Sequence, residues 1–223
     1  MIKIKKNGFT LSEMLITLSV VGLLGVLILP GLIKDTTSKA SITLLQSTVS
    51  NINDAVQNEI IRTRATNLVN TYIFSDTEKF LKSLDTAEIF TTQKQKEYKT
   101  FNGSTKNINF GKNSAILKNG VYISIWPDKS TTYTITGVPN PIKNAMVSIY
   151  IDINGDKEPN IVGVDLFKLE MYNYNSLELG RHVGDIGGTS YSENTKTLCE
   201  QGYPDACYYL LEASGFDHNY MKK

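Results

Sequence analysis

Gly8-Phe9-Thr10-Leu11-Ser12-Glu13-Met14-Leu15-Ile16 opens an apolar run that continues as far as Ile33. From Met14 to Ile33 there are 20 residues without a charge. As a helix rising 1.5 Å per residue, that run is roughly 30 Å long, about the thickness of a bilayer's hydrocarbon core. Nothing later in the sequence resembles it, so the first-order architecture is one membrane helix followed by a polar body. Lys3, Lys5 and Lys6 precede the run and no acidic residue offsets them. Basic flanks stay on the cytoplasmic side, so the body is expected to be translocated.

Length alone supports only an anchor. A secretory signal peptide would have a shorter apolar core followed by small residues for cleavage. Here Lys34-Asp35-Thr36-Thr37-Ser38-Lys39 follows instead. A lipoprotein signal would need a cysteine after the run, and none is there. A plain signal anchor fits the length and leaves Glu13 without a purpose. An unpaired carboxylate at the edge of the apolar run costs on the order of 3 kcal/mol even on lenient insertion scales. Its partner is expected to be a free amine at the start of a mature chain beginning at Phe9.

Lys5 to Ile16 resembles the class III signal of type IV pilins and type II secretion pseudopilins, and the resemblance extends to about residue 40. It implies that a prepilin peptidase cuts between Gly8 and Phe9, that Phe9 is N-methylated, and that Glu13 is the acidic fifth residue needed for assembly. Pro30 matches the proline that kinks the membrane helix of such proteins. The implied partners are the peptidase, other pilin or pseudopilin subunits, an inner-membrane assembly platform and membrane lipid. The implied function is that of a structural subunit of a type II secretion or type IV pilus filament, without catalysis of its own. In the low-dielectric core of such a filament, Glu13 of one subunit would pair with the Phe9 amine of a neighbour and set axial register. Two other readings stand beside this one: a signal-anchored extracytoplasmic binding domain that never polymerises, and a minor pilin whose head binds DNA or a surface.

Beyond Lys34, Ile42, Leu45, Val49, Ile52, Val56 and Ile60 step by three or four residues, the stripe of an amphipathic helix. The helix is expected to continue from the membrane to about Leu68. A short helix is expected over Asp76 to Leu84, with Ser75 as its N-cap and Glu78 completing a capping box. Thr91 to Lys112 reads as polar loop. Asn119-Gly120 predicts a two-residue hairpin between Ala115–Lys118 and Val121–Trp126. Alternation in Val121, Ile123, Ile125, then Val147, Ile149, Ile151, then Phe167, Leu169, Met171 predicts strands with one apolar face. From Gly180 onward, Gly184 to Gly188 included, the tail reads as irregular. The fold class is α+β: a long N-terminal helix packed on an antiparallel sheet. Its divisions are a leader at 1–8, a membrane or filament-core helix at 9–33, an amphipathic continuation at 34–70 and a head at 71–223.

The chain of 223 residues is 41% hydrophobic and 20% charged, with a formal net charge of +1. That is globular composition with no basic excess to neutralise nucleic-acid phosphates. Cys199 and Cys207 are the only cysteines; outside the cytoplasm an oxidised pair closing a short loop is the natural reading, against two free thiols. Asp152, Asn154 and Asp156 alternate like the start of a calcium loop. The glycine comes too early and the closing Glu is missing, so a tight polar turn is the competing reading. No other cofactor is indicated. His182 and His218 have no metal-ligand spacing, and no nucleophile or phosphate-loop signature is present.

Overall fold

The computed structural model describes residues 10–65, 68–128, 132–133, 142–143, 146–172, 179–180 and 191–222. These fall into two compact units, 1–40 and 41–223, each taken by itself below. Helix α1 spans Leu11–Thr63 and contributes to both.

In the first unit, Leu11–Ile28 has a mean hydropathy of 2.2 and none of it is buried. Leu11, Leu18 and Leu27 are each more than three-quarters exposed. The polar residues of this segment satisfy themselves locally. Thr17 donates its hydroxyl to the Met14 carbonyl at 3.0 Å, and Ser19 donates to that of Leu15 at 2.8 Å. Such back-bonding satisfies a hydroxyl on an apolar helix without recourse to water. Pro30 lies within α1.

In the second unit, the α1 stripe is buried as its periodicity requires. Ile42, Leu45, Ile52 and Val56 are at most 8% exposed and belong to the same core cluster as the apolar strand residues. The helix stops at Thr63, short of the expected Leu68, because Arg64 takes φ 52, a left-handed conformation that ends a helix. Leu68 is buried instead in a 3-10 turn over Leu68–Asn70. Two short helices follow, α2 (Tyr72–Ser75) and α3 (Thr77–Ser83). Asp76, not Ser75, caps α3: its Oδ1 accepts from the Lys79 backbone N–H at 3.1 Å. The Ser75 hydroxyl donates back to Thr71 as the end of α2.

The strands in chain order are β1 (Thr86–Ile89), β2 (Lys94–Lys99), β3 (Thr105–Phe110), β4 (Ser114–Leu117), β5 (Tyr122–Asp128), β6 (Thr132–Tyr133), β7 (Ile142–Lys143), β8 (Met146–Asp152), β9 (Leu166–Tyr172) and β10 (Leu179–Gly180). The main sheet runs β1-β4-β5-β8-β9-β10, antiparallel throughout, while β2 pairs only with β3 and β6 only with β7. The register places Ile125, Ile149 and Leu169 in one row and Ile123, Ile151 and Phe167 in the next. This is the apolar face anticipated from the alternation. The β4–β5 turn differs by one residue from the expected hairpin. Leu117 and Val121 bond across a three-residue loop closed by Gly120 at φ 88, the usual geometry for a glycine-terminated loop of that length.

Two segments expected to be irregular are ordered elements. Within Thr91 to Lys112, β2 and β3 form a hairpin. Its alternation escapes a hydrophobicity reading because the inward positions of β2 are Lys94, Lys96 and Tyr98. In the tail, α4 (Tyr191–Glu200) and α5 (Pro204–Ala213) form a helix pair, with Pro204 at the first turn of α5, where its missing N–H costs nothing. Gly184 to Gly188 and His182 lie outside the described residues.

The second face of the sheet is polar and also buried. Ser124, Ser148, Asp152 and Glu170 are all under 9% exposed. Lys168 pairs with Glu170 and lies 3.8 Å from Asp205 of α5. The sheet therefore carries an apolar side and a second side whose buried polar residues include ion pairs.

Candidate functional site at the helix start

Glu13 stands in the first turn of α1. Thr10 precedes the helix, and its carbonyl accepts the first helical bond, from Met14 N–H at 3.2 Å. The Glu13 Oε2 accepts from both the Thr10 backbone N–H and its hydroxyl, each at 2.8 Å, and Glu13 N–H donates to Thr10 Oγ1 at 3.3 Å. This is a reciprocal capping box, two orphan donors at a helix start satisfied by two side chains. The sequence carries the signal as Thr10-x-x-Glu13, the same spacing as Ser75-x-x-Glu78.

The capping box changes the account of Glu13. Its carboxylate is partnered within the chain, so it does not sit naked beside lipid. It also lies close to where the chain would begin after cleavage, and a carboxylate oxygen has lone pairs left for a second donor. Gly8 and Phe9 lie outside the described residues. Around Glu13 the helix shows Leu11, Met14, Leu15 and Ile16 to the surroundings, each at least 59% exposed. An acidic group ringed by uncovered apolar surface suits burial against other helices or lipid.

The prokaryotic N-terminal methylation motif matches residues 3–29 of this chain. The chain carries the type IV pilin signature. No curated protein and no solved structure matches the chain significantly. With that signature, the apolar helix followed by an antiparallel sheet is an α+β pilin-like arrangement, and one apolar N-terminal helix among the described residues fits a single-pass membrane-anchored protein. Proteins with this signature are structural, processed by prepilin peptidase and assembled with other pilins.

The remaining candidates lie in the second unit. Cys199 and Cys207 are joined in a disulfide with their Cα atoms 4.7 Å apart, and both are fully buried. The two carboxylates of the Asp152 to Asp156 turn accept from protein donors, while Asn154 Oδ1 is buried without a hydrogen-bond partner among the described residues. The Asp152 Oδ2 accepts from Lys96 Nζ and from Tyr98 OH, both at 2.5 Å, and its Oδ1 accepts from the Gly155 N–H at 3.1 Å. Burial holds the Asp152 carboxyl above the ordinary carboxylate range, against the opposing pull of the Lys96 and Tyr98 hydrogen bonds. Asp156 takes Lys94 at 2.5 Å and the Tyr122 hydroxyl, and the Asn154 amide donates to the Pro159 carbonyl at 2.9 Å. Among the described residues no group of three or more His, Cys, Asp or Glu side chains is placed to hold a metal ion. The lysines that pair with Asp152 and Asp156 come from β2, which is remote in sequence.

Proposed function

We propose that this chain is a structural subunit of a type II secretion or type IV pilus filament, cut between Gly8 and Phe9, methylated on the Phe9 amine and assembled through α1. The observation that carries this reading is the methylation motif over 3–29 combined with a carboxylate held at the start of an uncovered apolar helix. Before assembly the apolar surface is covered by lipid, and afterwards by the same surface of neighbouring subunits. The exchange of one apolar environment for another costs little, so a few polar contacts decide where each helix stops. Glu13 and the amine of the adjacent subunit are the pair suited to that task.

The basic residues ahead of the helix support a cytoplasmic N-terminus. The buried disulfide supports an extracytoplasmic head, since such bonds persist in oxidising compartments. The reading is tested by the mass of the N-terminal peptide of the protein purified from its host. A peptide beginning at Phe9 and carrying one added methyl group is expected. An intact Met1 start would overturn processing and leave a signal-anchored binding domain as the better account.

A further inference from the structure

A cleft of about 520 Å³ lies between the connection ahead of β2 (Thr91, Thr92, Gln93), the connection after β3 (Gly111, Lys112, Asn113) and Trp126 of β5. Trp126 is the chain's single tryptophan and is 41% exposed, although Tyr122 to Ile125 of the same strand are buried. Its Nε1–H donates to Ser124 Oγ at 2.8 Å, and Ser124 Oγ accepts from Ser114 Oγ at 2.7 Å. The one polar atom of the indole is thus used inside the protein. The ring is held in a single orientation, and what it offers to solvent is aromatic surface alone.

Gly111 keeps that surface open. A Cβ at this position would lie 3.6 Å and 3.7 Å from the indole Cη2 and Cζ2 and 4.0 Å from Gln93 Cγ. A long side chain extended from this position toward the indole would cover part of the ring. The other lining residues are Thr91, Thr92, Gln93 and Asn113, neutral groups that both donate and accept, with Lys112 as the single charge. Among the described residues no carboxylate lines the cleft.

We propose that this cleft binds a pyranose ring of a glycan, stacked on Trp126 and hydrogen-bonded at its rim by Gln93 and Asn113. A pyranose has flat faces of C–H bonds polarised by the neighbouring oxygens, which complement the negative face of an indole. Its hydroxyls project from the edge, each able to donate and accept, as amide and hydroxyl side chains do. An aliphatic side chain of a peptide would cover the ring and leave the rim groups without partners, which lowers affinity. A multiply anionic ligand would find only Lys112. The proposal is independent of how the N-terminal helix assembles.

The single tryptophan makes the test direct, because its emission reports this cleft alone. The full chain, held in lauryldimethylamine oxide micelles so that no sugar headgroup competes, is titrated with maltotetraose, cellotetraose, galactotetraose and the N-acetylglucosamine tetramer. A saturable shift of emission with at least one of them is expected. Gly111→Leu fills the cleft and keeps the fluorophore, and its apparent Kd should rise about tenfold or more. Asn113→Ala, which removes only a rim group, should weaken binding several-fold. Three results would each overturn the proposal: no oligosaccharide shifts the emission, both variants titrate like the wild type, or the emission shifts with protein concentration alone because a second copy covers the cleft.

Discussion

Lys96 and Asp152 show how much of this head depends on single buried charges. Their side chains are 7% and 0% exposed, and 56 residues separate them in sequence. Lys96→Met keeps most of the side-chain volume and leaves a carboxylate buried without its cation. Breaking one partner of a buried pair costs about 3–5 kcal/mol, more than replacing both. Denaturant unfolding should show that loss for Lys96→Met and substantial recovery in Lys96→Met with Asp152→Asn; a single variant as stable as the wild type would refute the pairing. The alternation of Asp152, Asn154 and Asp156 was visible in the sequence as a concentration of oxygens. That Lys96 and Lys94 pair with Asp152 and Asp156 was not visible, because those lysines arrive through a strand whose charged residues disguise its periodicity.

Asp165, close by, is 5% exposed and accepts from the Ile161 N–H at 3.0 Å. Burial, with the charges of Asp152 and Glu158, raises its carboxyl from 3.8 to about 7, against the pull of the Ile161 N–H and Lys96. The folded state therefore holds this proton more tightly than the unfolded chain does. That stabilisation is complete below about pH 4 and is lost as pH rises to about 7. Relative to Asp165→Asn, which cannot ionise, the wild-type Tm should fall across that window, and a constant difference would count against the assignment.

At the scale of elements, the clearest case is the tail. Its helices α4 and α5 are joined by the Cys199–Cys207 disulfide, eight residues apart. Tyr220, beyond them, donates to the Gly163 carbonyl at 2.5 Å, which ties the chain end to the loop before β9. Gly163 has φ +83, and a Cβ there would meet Cys207 Sγ and Tyr220 OH at 2.7 Å each. Closing so short a loop lowers the entropy of the unfolded chain by roughly 2–3 kcal/mol. Reductant, or Cys199→Ala with Cys207→Ala, should lower the Tm of the head correspondingly; an unchanged Tm in both would show that the helix pair stands without the bond. The α1 stripe and the three apolar strands were legible because each buries one apolar face at a fixed period. The tail helices and the β2–β3 hairpin were not, since their buried positions include Lys96, Tyr98, Thr195, Asp205 and the two cysteines, which break up an apolar period. At the start of α5, Pro204 was a readable marker.

For the molecule as a whole, the methylation motif spans residues 3–29, so the assembly proposed for this chain rests on a segment whose described apolar residues, Leu11 to Ile28, are uncovered. The structure gives Glu13 a role there that needs no second subunit, the capping box with Thr10. The two roles separate cleanly by substitution. Gln supports a capping box as Glu does, so Glu13→Gln preserves the helix start and removes only the charge. If capping were the whole function, Glu13→Gln would assemble normally while Thr10→Val, which loses the hydroxyl, would not. If the carboxylate meets the Phe9 amine of a neighbour in a low-dielectric core, removing its charge leaves that amine buried and unpaired, a penalty of several kcal/mol per subunit. The expected outcome is that Glu13→Gln remains in the membrane fraction at wild-type level, with its leader removed, and falls at least about tenfold in the sheared filament fraction. Thr10→Val should retain much of its assembly, because the carboxylate still accepts from the Thr10 backbone N–H. Wild-type filament yield for Glu13→Gln would confine this residue to the cap and require another source of register.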